Sequence, residues 1–460
     1  MFQHIRKKLK PAKNKPTITD PNQIASAYKY WRMRIFISMY TGYVFFYFTR
    51  KSFASVLYEI NLDLGISCKL LGLCGTVFYV CYGISKFISG MLSDISNPRY
   101  FMSFGLIITG ILNILFGMSS SIYFMILIWG ANGIFQGWGW PPVAKQLTHW
   151  FAKKERGTWW SLCSTSHNVG GGLIPIICAM VIPYTIAGVT GWRLAMFISG
   201  GLCIACGLIL LDRLRDIPTS LGLPSIEAFK EEDSSGSQVI DAPSSITFKE
   251  ILFEHVLENK FVWVMAFSYF FVYVVRTGMN DWTITYLVQN GFDRVSAGGS
   301  IAWFEVGGFI GTLLAGWASD YIFSGRRAPF SAICALGIII TLYFFTEANS
   351  NGSIGVYRCY SLMFAMGFFI FGPQMLIGLA AAEYVDKKAA GTANGFVGCF
   401  ANAGAAMAGA PLGMLIDNSW NAYFSVLMIC SIIMFCILFP LSFMSDRKSL
   451  PRVKQNLSKA

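Results

Sequence analysis

Charge is what this sequence has least of. Only 13% of its 460 residues are charged, while 54% are apolar. A soluble domain carries about 25% charged residues. So few charges cannot keep a surface of this size in water. Histidine is also scarce, with four in the chain, and no Gly-Lys dipeptide occurs. The missing dipeptide excludes a Walker A phosphate loop, and with it transport driven by nucleotide hydrolysis in this chain. No Ser/His/Asp set, carboxylate pair or metal-ligand cluster is arranged coherently, so neither an enzyme nor a cofactor is expected. The twelve cysteines lie mostly in apolar runs. Cys203 and Cys206 form a C-x-x-C without a nearby His or Asp, which argues against a zinc or redox site. Disorder, a coiled coil and nucleic-acid binding are excluded as main readings. The solvent for most of this chain is the lipid bilayer.

What is present is a series of apolar runs. A membrane helix needs about 20 mainly apolar residues. That rule predicts twelve spans, near 34–57, 70–92, 100–118, 122–146, 157–182, 192–211, 261–287, 296–319, 329–346, 356–382, 391–416 and 421–444. The expected fold is an all-α membrane protein with two six-helix bundles. Its parts are a basic N-terminal segment (1–33), a first bundle (34–211), a linker (212–259), a second bundle (260–444) and a tail (445–460). The linker, with a Ser-rich patch at Ser234–Ser237, reads as part amphipathic helix and part disordered. The net charge of +12 is unevenly placed. Nine Lys/Arg against one acid precede residue 35, and further cations cluster at alternate gaps, such as Lys153, Lys154 and Arg156. This positive-inside pattern predicts both termini in the cytoplasm. The first apolar run reads as an uncleaved span, not a signal peptide.

An internal repeat supports the six-plus-six division. Gly90-Met-Leu-Ser-Asp94 recurs as Gly316-Trp-Ala-Ser-Asp320, an offset of 226 that also relates Arg50 to Arg276. Gly157-Thr158 recurs as Gly391-Thr392 at an offset of 234, which carries Asn168 and Gly170 onto Asn402 and Gly404. Two similar halves with a site between them near the midplane are the plan of a secondary transporter.

Charges within spans are costly and mark cavities or partners. Arg50 and Arg276 each follow about fifteen uncharged residues in spans 1 and 7, and as repeat mates they approach the centre from opposite halves. A guanidinium presents a planar fork that suits two phosphate oxygens, so two of them fit a phosphate dianion. Lys51 points ~100° away from Arg50 on a helix. It shares an outer depth with Asp281, predicting a gating or charge-compensating ion pair. Lys86 and Glu305 are another possible buried pair. His167, before Gly170-Gly-Gly172, could take up a proton when phosphate arrives, or simply bond a neighbouring helix. Tyr43, Tyr47 and Tyr273 fall one or two turns before the arginines, as cavity lining or as core.

Several segments carry a resemblance. Arg50-Lys-Ser-Phe-Ala, Tyr82-Gly-Ile-Ser-Lys86-Phe, Ser93-Asp-Ile-Ser-Asn-Pro-Arg99, Phe135-Gln-Gly-Trp-Gly-Trp-Pro-Pro142, His167-Asn-Val-Gly-Gly-Gly172 and Phe371-Gly-Pro-Gln-Met-Leu-Ile-Gly378 resemble the organophosphate:phosphate antiporter family of the major facilitator superfamily. Gly75-Thr-Val-Phe-Tyr-Val-Cys-Tyr-Gly83 resembles its hexose-phosphate transporter and sensor branch. The resemblance implies alternating access by rocking of two halves, with an organic phosphate exchanged for inorganic phosphate. Arg50 and Arg276 match the family's phosphate-binding arginines; His167, Lys86 and Asp281 match its central histidine, span 2 lysine and span 7 aspartate. Ser164 stands where glycerol-phosphate members carry Asn. Span 11 lacks the charged pair of the main hexose-phosphate transporters.

The expectation is a monomeric exchanger in a bacterial inner membrane, taking sugar phosphate (glucose 6-phosphate foremost) for inorganic phosphate. An empty pair of guanidiniums resists closure, and a bound dianion permits it. The rivals are a membrane sensor of hexose phosphate with a kinase partner, and a proton-coupled organophosphate symporter.

Overall fold

The computed structural model describes residues 12–94, 96–186, 188–230, 256–346, 352–385 and 390–443. They are almost entirely helical. In chain order the helices are α1 (Pro21–Ser55), α2 (Leu57–Leu64), α3 (Cys68–Asp94), α4 (Pro98–Met118), α5 (Ile122–Gln136), α6 (Trp140–Trp150), α7 (Lys153–Ser164), α8 (Ser166–Val181) and α9 (Gly191–Arg213). After the short α10 (Ile226–Phe229) come α11 (Lys260–Gln289), α12 (Arg294–Tyr321), α13 (Arg327–Thr346), α14 (Gly352–Glu383), α15 (Ala390–Met407), α16 (Ala410–Asn418) and α17 (Trp420–Leu441). A two-stranded hairpin, Thr185–Ile186 with Val189–Thr190, precedes α9. The tail and most of the linker (231–255), with its Ser234–Ser237 patch, lie outside the described residues. The linker's first part forms a 3-10 turn, Pro218–Leu221, and α10.

Local chemistry fixes where helices begin. α1 starts thirteen residues before the expected span, because Asp20 caps it by accepting from the Asn22 N–H and Pro21 occupies its first turn. Asn97, Asn259, Asp293 and Ser419 cap α4, α11, α12 and α17 in the same way. Among the described residues, nine helices are long and apolar enough to cross a membrane. The other three expected spans coincide with α1, α5–α6 and α7–α8. Tyrosines and the Arg50-Lys51 pair dilute α1, a Gly137–Gly139 break divides α5 from α6, and Thr165 divides α7 from α8.

α1–α9 pack mainly on one another, with α4 against α9, α3 against α5 and α1 against α8. In the second half α12 packs on α14, α11 on α15 and α13 on α17. Two seams join the halves: α8 with α12, and α3 with α15 and α16. Glycine makes these approaches possible, and the repeat governs where. A Cβ on Gly170 would lie 2.5 Å from the Val44 carbonyl oxygen, and one on Gly404 would lie 2.3 Å from that of Phe270. Val44 and Phe270 differ by 226, Gly170 and Gly404 by 234, so α1–α8 and α11–α15 are the same contact made twice. Likewise Gly72 abuts Gly409, as Gly298 abuts Pro175. The two offsets read from sequence therefore relate contacts in space.

Candidate functional site

Between the halves lies a polar cavity of about 210 Å³. Arg50 from α1 and Arg276 from α11 both face it, with Lys86 from α3 and His167 from α8. Each guanidinium is held by aromatic faces. The Arg50 Cζ lies 4.6 Å from the Tyr47 ring centroid and 4.4 Å from that of Tyr82. The Arg276 Cζ lies 5.4 Å from Tyr273 and 4.7 Å from Phe371. Tyr47 and Tyr273 are again repeat mates at 226. A ring quadrupole attracts a cation without neutralising it, so the forks are oriented while their charge stays available. Arg50 also donates to Gln136 Oε1 (3.3 Å) and to the Tyr47 hydroxyl (3.1 Å). Arg276 Nε is buried and has no acceptor among the described residues. Among the described residues neither arginine forms an ion pair.

His167 Nδ1 donates to the Ser164 carbonyl oxygen. That bond fixes the ring, leaving Nε2 as the group that can address a ligand. The imidazole stacks on Phe371, centroids 6.1 Å apart, so one phenyl ring touches both His167 and Arg276. Tyr43 lines the cavity beside Tyr47 and Trp140. Ser164 does not line it: its hydroxyl donates back to the Trp160 carbonyl oxygen.

Lys51 and Asp281 form an ion pair, Nζ to Oδ1 2.8 Å, and Tyr79 donates to Asp281 Oδ2 at 2.8 Å. The end of the bundle where α1 begins is here called proximal, and the end carrying α2 distal. Three further ties cross between halves on the distal side of the cavity. Arg294 pairs with Glu59 at 2.7 Å, Asp417 accepts from the Cys68 and Lys69 N–H groups at 2.8 Å each, and Thr76 donates to the Ala406 carbonyl at 2.8 Å. These ties join the two halves on the distal side of the cavity.

Glu305 does not pair with Lys86, contrary to the sequence expectation. It is 1% exposed on the α8–α12 seam, where Asn168 donates to Oε2 (2.9 Å) and Asn280 to Oε1 (3.2 Å). Gly171 draws α8 so close that a Cβ there would meet Glu305 at 2.9 Å. Lys86 sits across the cavity on α3, without a carboxylate partner among the described residues. By the offset of 226 Glu305 is the repeat mate of Tyr79, about two turns from Lys86 along α3. Sequence reasoning also passes over Tyr79, Tyr82, Tyr269, Asn280, Phe371, Gln374 and Asn402, all of which line or border the cavity. Tyr82 and Phe371-Gly-Pro-Gln374 belong to motifs that carry the resemblance, and that is the signal that could have found them.

Helices in two halves related by a repeat, with a polar cavity between them, are the features that comparison with known proteins tests. Residues 39–409 match the Major Facilitator Superfamily. The chain belongs to this family of membrane transporters. It is therefore a multi-pass membrane protein and not an enzyme. It is 50% identical over 441 residues to the "Probable hexose phosphate transport protein" of Chlamydia trachomatis, covering 92% of this chain and 93% of that one. It is 44% identical over 434 residues to "Membrane sensor protein UhpC" of Escherichia coli, covering 94% and 97%. Among solved structures, a bacterial homologue of the lysosomal transporter Spinster superposes with a TM-score of 0.72 at 15% identity, covering 92% and 99%, which shows the shared fold. Within the superfamily the chain falls in the organophosphate:phosphate antiporter branch, beside the hexose-phosphate transporters and sensors.

Proposed function

We propose that this chain exchanges an external hexose 6-phosphate for internal inorganic phosphate by alternating access, with Arg50 and Arg276 clasping the phosphate. One observation carries the reading: two repeat-related guanidiniums face one cavity, each oriented by aromatic rings and neither paired with a carboxylate among the described residues. Arg50, Arg276, Lys86 and Lys51 contribute four positive charges, while Asp281, paired with Lys51, and Glu305 behind the wall contribute two negative charges. The remainder is two, the charge of a phosphate dianion. An empty cavity brings like charges together when it closes, in a medium where charge repulsion is strong. The bound dianion removes that barrier and bridges the halves, so reorientation requires substrate and exchange becomes obligatory. Only a ligand that interacts differently with the open and closed states can shift their balance. The phosphate does so, because both forks reach it only when the halves approach.

In this reading both termini are cytoplasmic, the membrane is a bacterial inner membrane and the protein works as a monomer. The distal ties then close the outer side, and the cavity faces inward. The names of the Chlamydia and E. coli relatives support hexose phosphate as the organic partner. The test is reconstitution into vesicles loaded with phosphate. Labelled glucose 6-phosphate enters loaded vesicles and fails to enter empty ones; entry independent of internal phosphate contradicts exchange. The sensor relative gives a second reading, in which the same cavity binds hexose phosphate and reports to a kinase. Tight binding with no exchange by wild-type protein favours it.

A further inference from the structure

One part of the cavity is chemically unlike the rest. The cations there are hydrogen-bond donors, and the phosphate group of a monoester dianion presents only acceptors to them. Gln374 on α14 lines the same cavity, yet its Oε1 is buried and has no hydrogen-bond partner among the described residues. Asn280 on α11 repeats the pattern. Its amide nitrogen donates to Glu305, which fixes the amide orientation, because only an N–H group can face a carboxylate. Its Oδ1 is left buried and without a donor. A buried carbonyl lacking a donor is costly, by an amount comparable to a hydrogen bond lost outright. Inorganic phosphate as a dianion carries a single P–OH, so it can satisfy at most one of the two carbonyls. Both can be satisfied by hydroxyl groups.

The placement of Gln374 follows from the local sequence. Pro373 lies inside α14 and removes one rung of its hydrogen-bond ladder immediately before Gln374. Phe371, one turn earlier, shares the Gln374 face. Because Phe371 packs under Arg276 and His167, Gln374 stands beside the phosphate clasp and is not part of it.

We propose that Gln374, with Asn280, reads the hydroxyl groups of the organic moiety, so that the site selects a neutral polyhydroxylated monophosphate over phosphorylated carboxylates. The inference rests on the phosphate reading above and adds what recognises the other end of the substrate. An amide accepts and donates at once, which matches a pair of neighbouring hydroxyls. A carboxylate in the same place meets the Gln374 and Asn280 carbonyl oxygens with its own negative oxygens. The lack of charge in span 11 is then no obstacle to sugar recognition, since uncharged amides carry it.

The test uses the purified full chain and reads ligand-induced thermal stabilisation, which reports Kd without requiring turnover. The probes are glucose 6-phosphate, 3-phosphoglycerate and inorganic phosphate. In wild-type protein glucose 6-phosphate binds more tightly than 3-phosphoglycerate. Gln374→Met, similar in size but without the amide, lowers the ratio of glucose 6-phosphate to phosphate affinity by about tenfold, the size of a lost buried hydrogen bond. Gln374→Asn keeps an amide one methylene short and lowers the ratio by less. A merely structural role weakens both ligands in proportion and leaves the ratio unmoved. Ratios within twofold of wild type in both variants, or 3-phosphoglycerate binding as tightly as glucose 6-phosphate, overturn the assignment of Gln374 while leaving the phosphate clasp intact. Wild-type protein that binds none of the three overturns the phosphate reading itself.

Discussion

Lys51 and Asp281 join the two halves of the molecule through one contact, Nζ to Oδ1 at 2.8 Å, with side chains 10% and 17% exposed. The pair lies at the cavity's distal side, and Tyr79 completes the carboxylate's bonding. Removing one partner of a buried pair leaves an uncompensated charge and costs about 3–5 kcal/mol. Asp281→Asn is expected to loosen the distal ties. Cys68, buried beside Asp417 among those ties, should then react faster with a membrane-impermeant maleimide, read residue by residue by mass spectrometry. The double variant Lys51→Ala/Asp281→Asn should be less impaired than either single change, because no lone charge remains. Unchanged Cys68 labelling in Asp281→Asn assigns the pair to static charge compensation.

The glycine contacts carry a stability prediction. Gly170→Ala and Gly404→Ala each drive a methyl into a backbone carbonyl at less than 3 Å. Overpacking of this kind typically costs about 1–3 kcal/mol. A methyl group at Gly201 or Gly395 would meet no atom within 4 Å, and alanine is the better helix former. Thermal unfolding should show Tm lowered by the first two substitutions and equal or raised for Gly201→Ala and Gly395→Ala. Equal shifts in all four would break the link between the repeat and the packing.

Outside the membrane, Asp216 lies buried where the N-terminal segment meets the linker. Its Oδ2 accepts the Ala12 N–H at 2.8 Å, and Lys145 stands 3.9 Å from Oδ1. Burial pushes this carboxyl above its ordinary value, with the Ala12 N–H and Lys145 opposing the shift only in part. A carboxyl raised in the folded state binds more protons there than when unfolded. Its contribution to stability is therefore largest at low pH, and it declines as pH rises through the unfolded value, about 3.9, and on through the raised folded one. Asp216→Asn retains an acceptor for Ala12 and removes this slope. The difference in Tm between wild type and variant should move with pH in that window; a constant difference contradicts the burial argument.

The legible parts of this molecule are those that one dimension encodes. Paired offsets of 226 and 234 bring Arg50 and Arg276 to one cavity, and equal depth brings Lys51 to Asp281. What one dimension does not encode is azimuth. Lys86 and Glu305 differ in both depth and seam: by the offset of 226 Glu305 is the repeat mate of Tyr79, two turns before Lys86, and Gly171 brings α8 over it. Ser164 lies one turn before His167, yet its hydroxyl is consumed by Trp160. Gln374, Asn280 and Phe371 escape a sequence reading because amides and aromatic rings within apolar spans look alike whether they pack or bind. Missing partners single out the two amides, and contact with both Arg276 and His167 singles out Phe371; each is visible in three dimensions alone. The breaks in α5–α6 and α7–α8 are hidden because a glycine or threonine inside an apolar run does not lower its hydropathy enough to divide it.

The central claim is that two planar forks clasp one phosphate. It is tested most directly by the Kd of inorganic phosphate for Arg50→Lys and Arg276→Lys, each of which keeps the charge and removes the fork. Charge-assisted hydrogen bonds contribute about 1.5–3 kcal/mol, so each variant should bind phosphate roughly 10- to 150-fold more weakly than wild type while remaining folded. Wild-type affinity, within twofold, in either lysine variant would contradict the account.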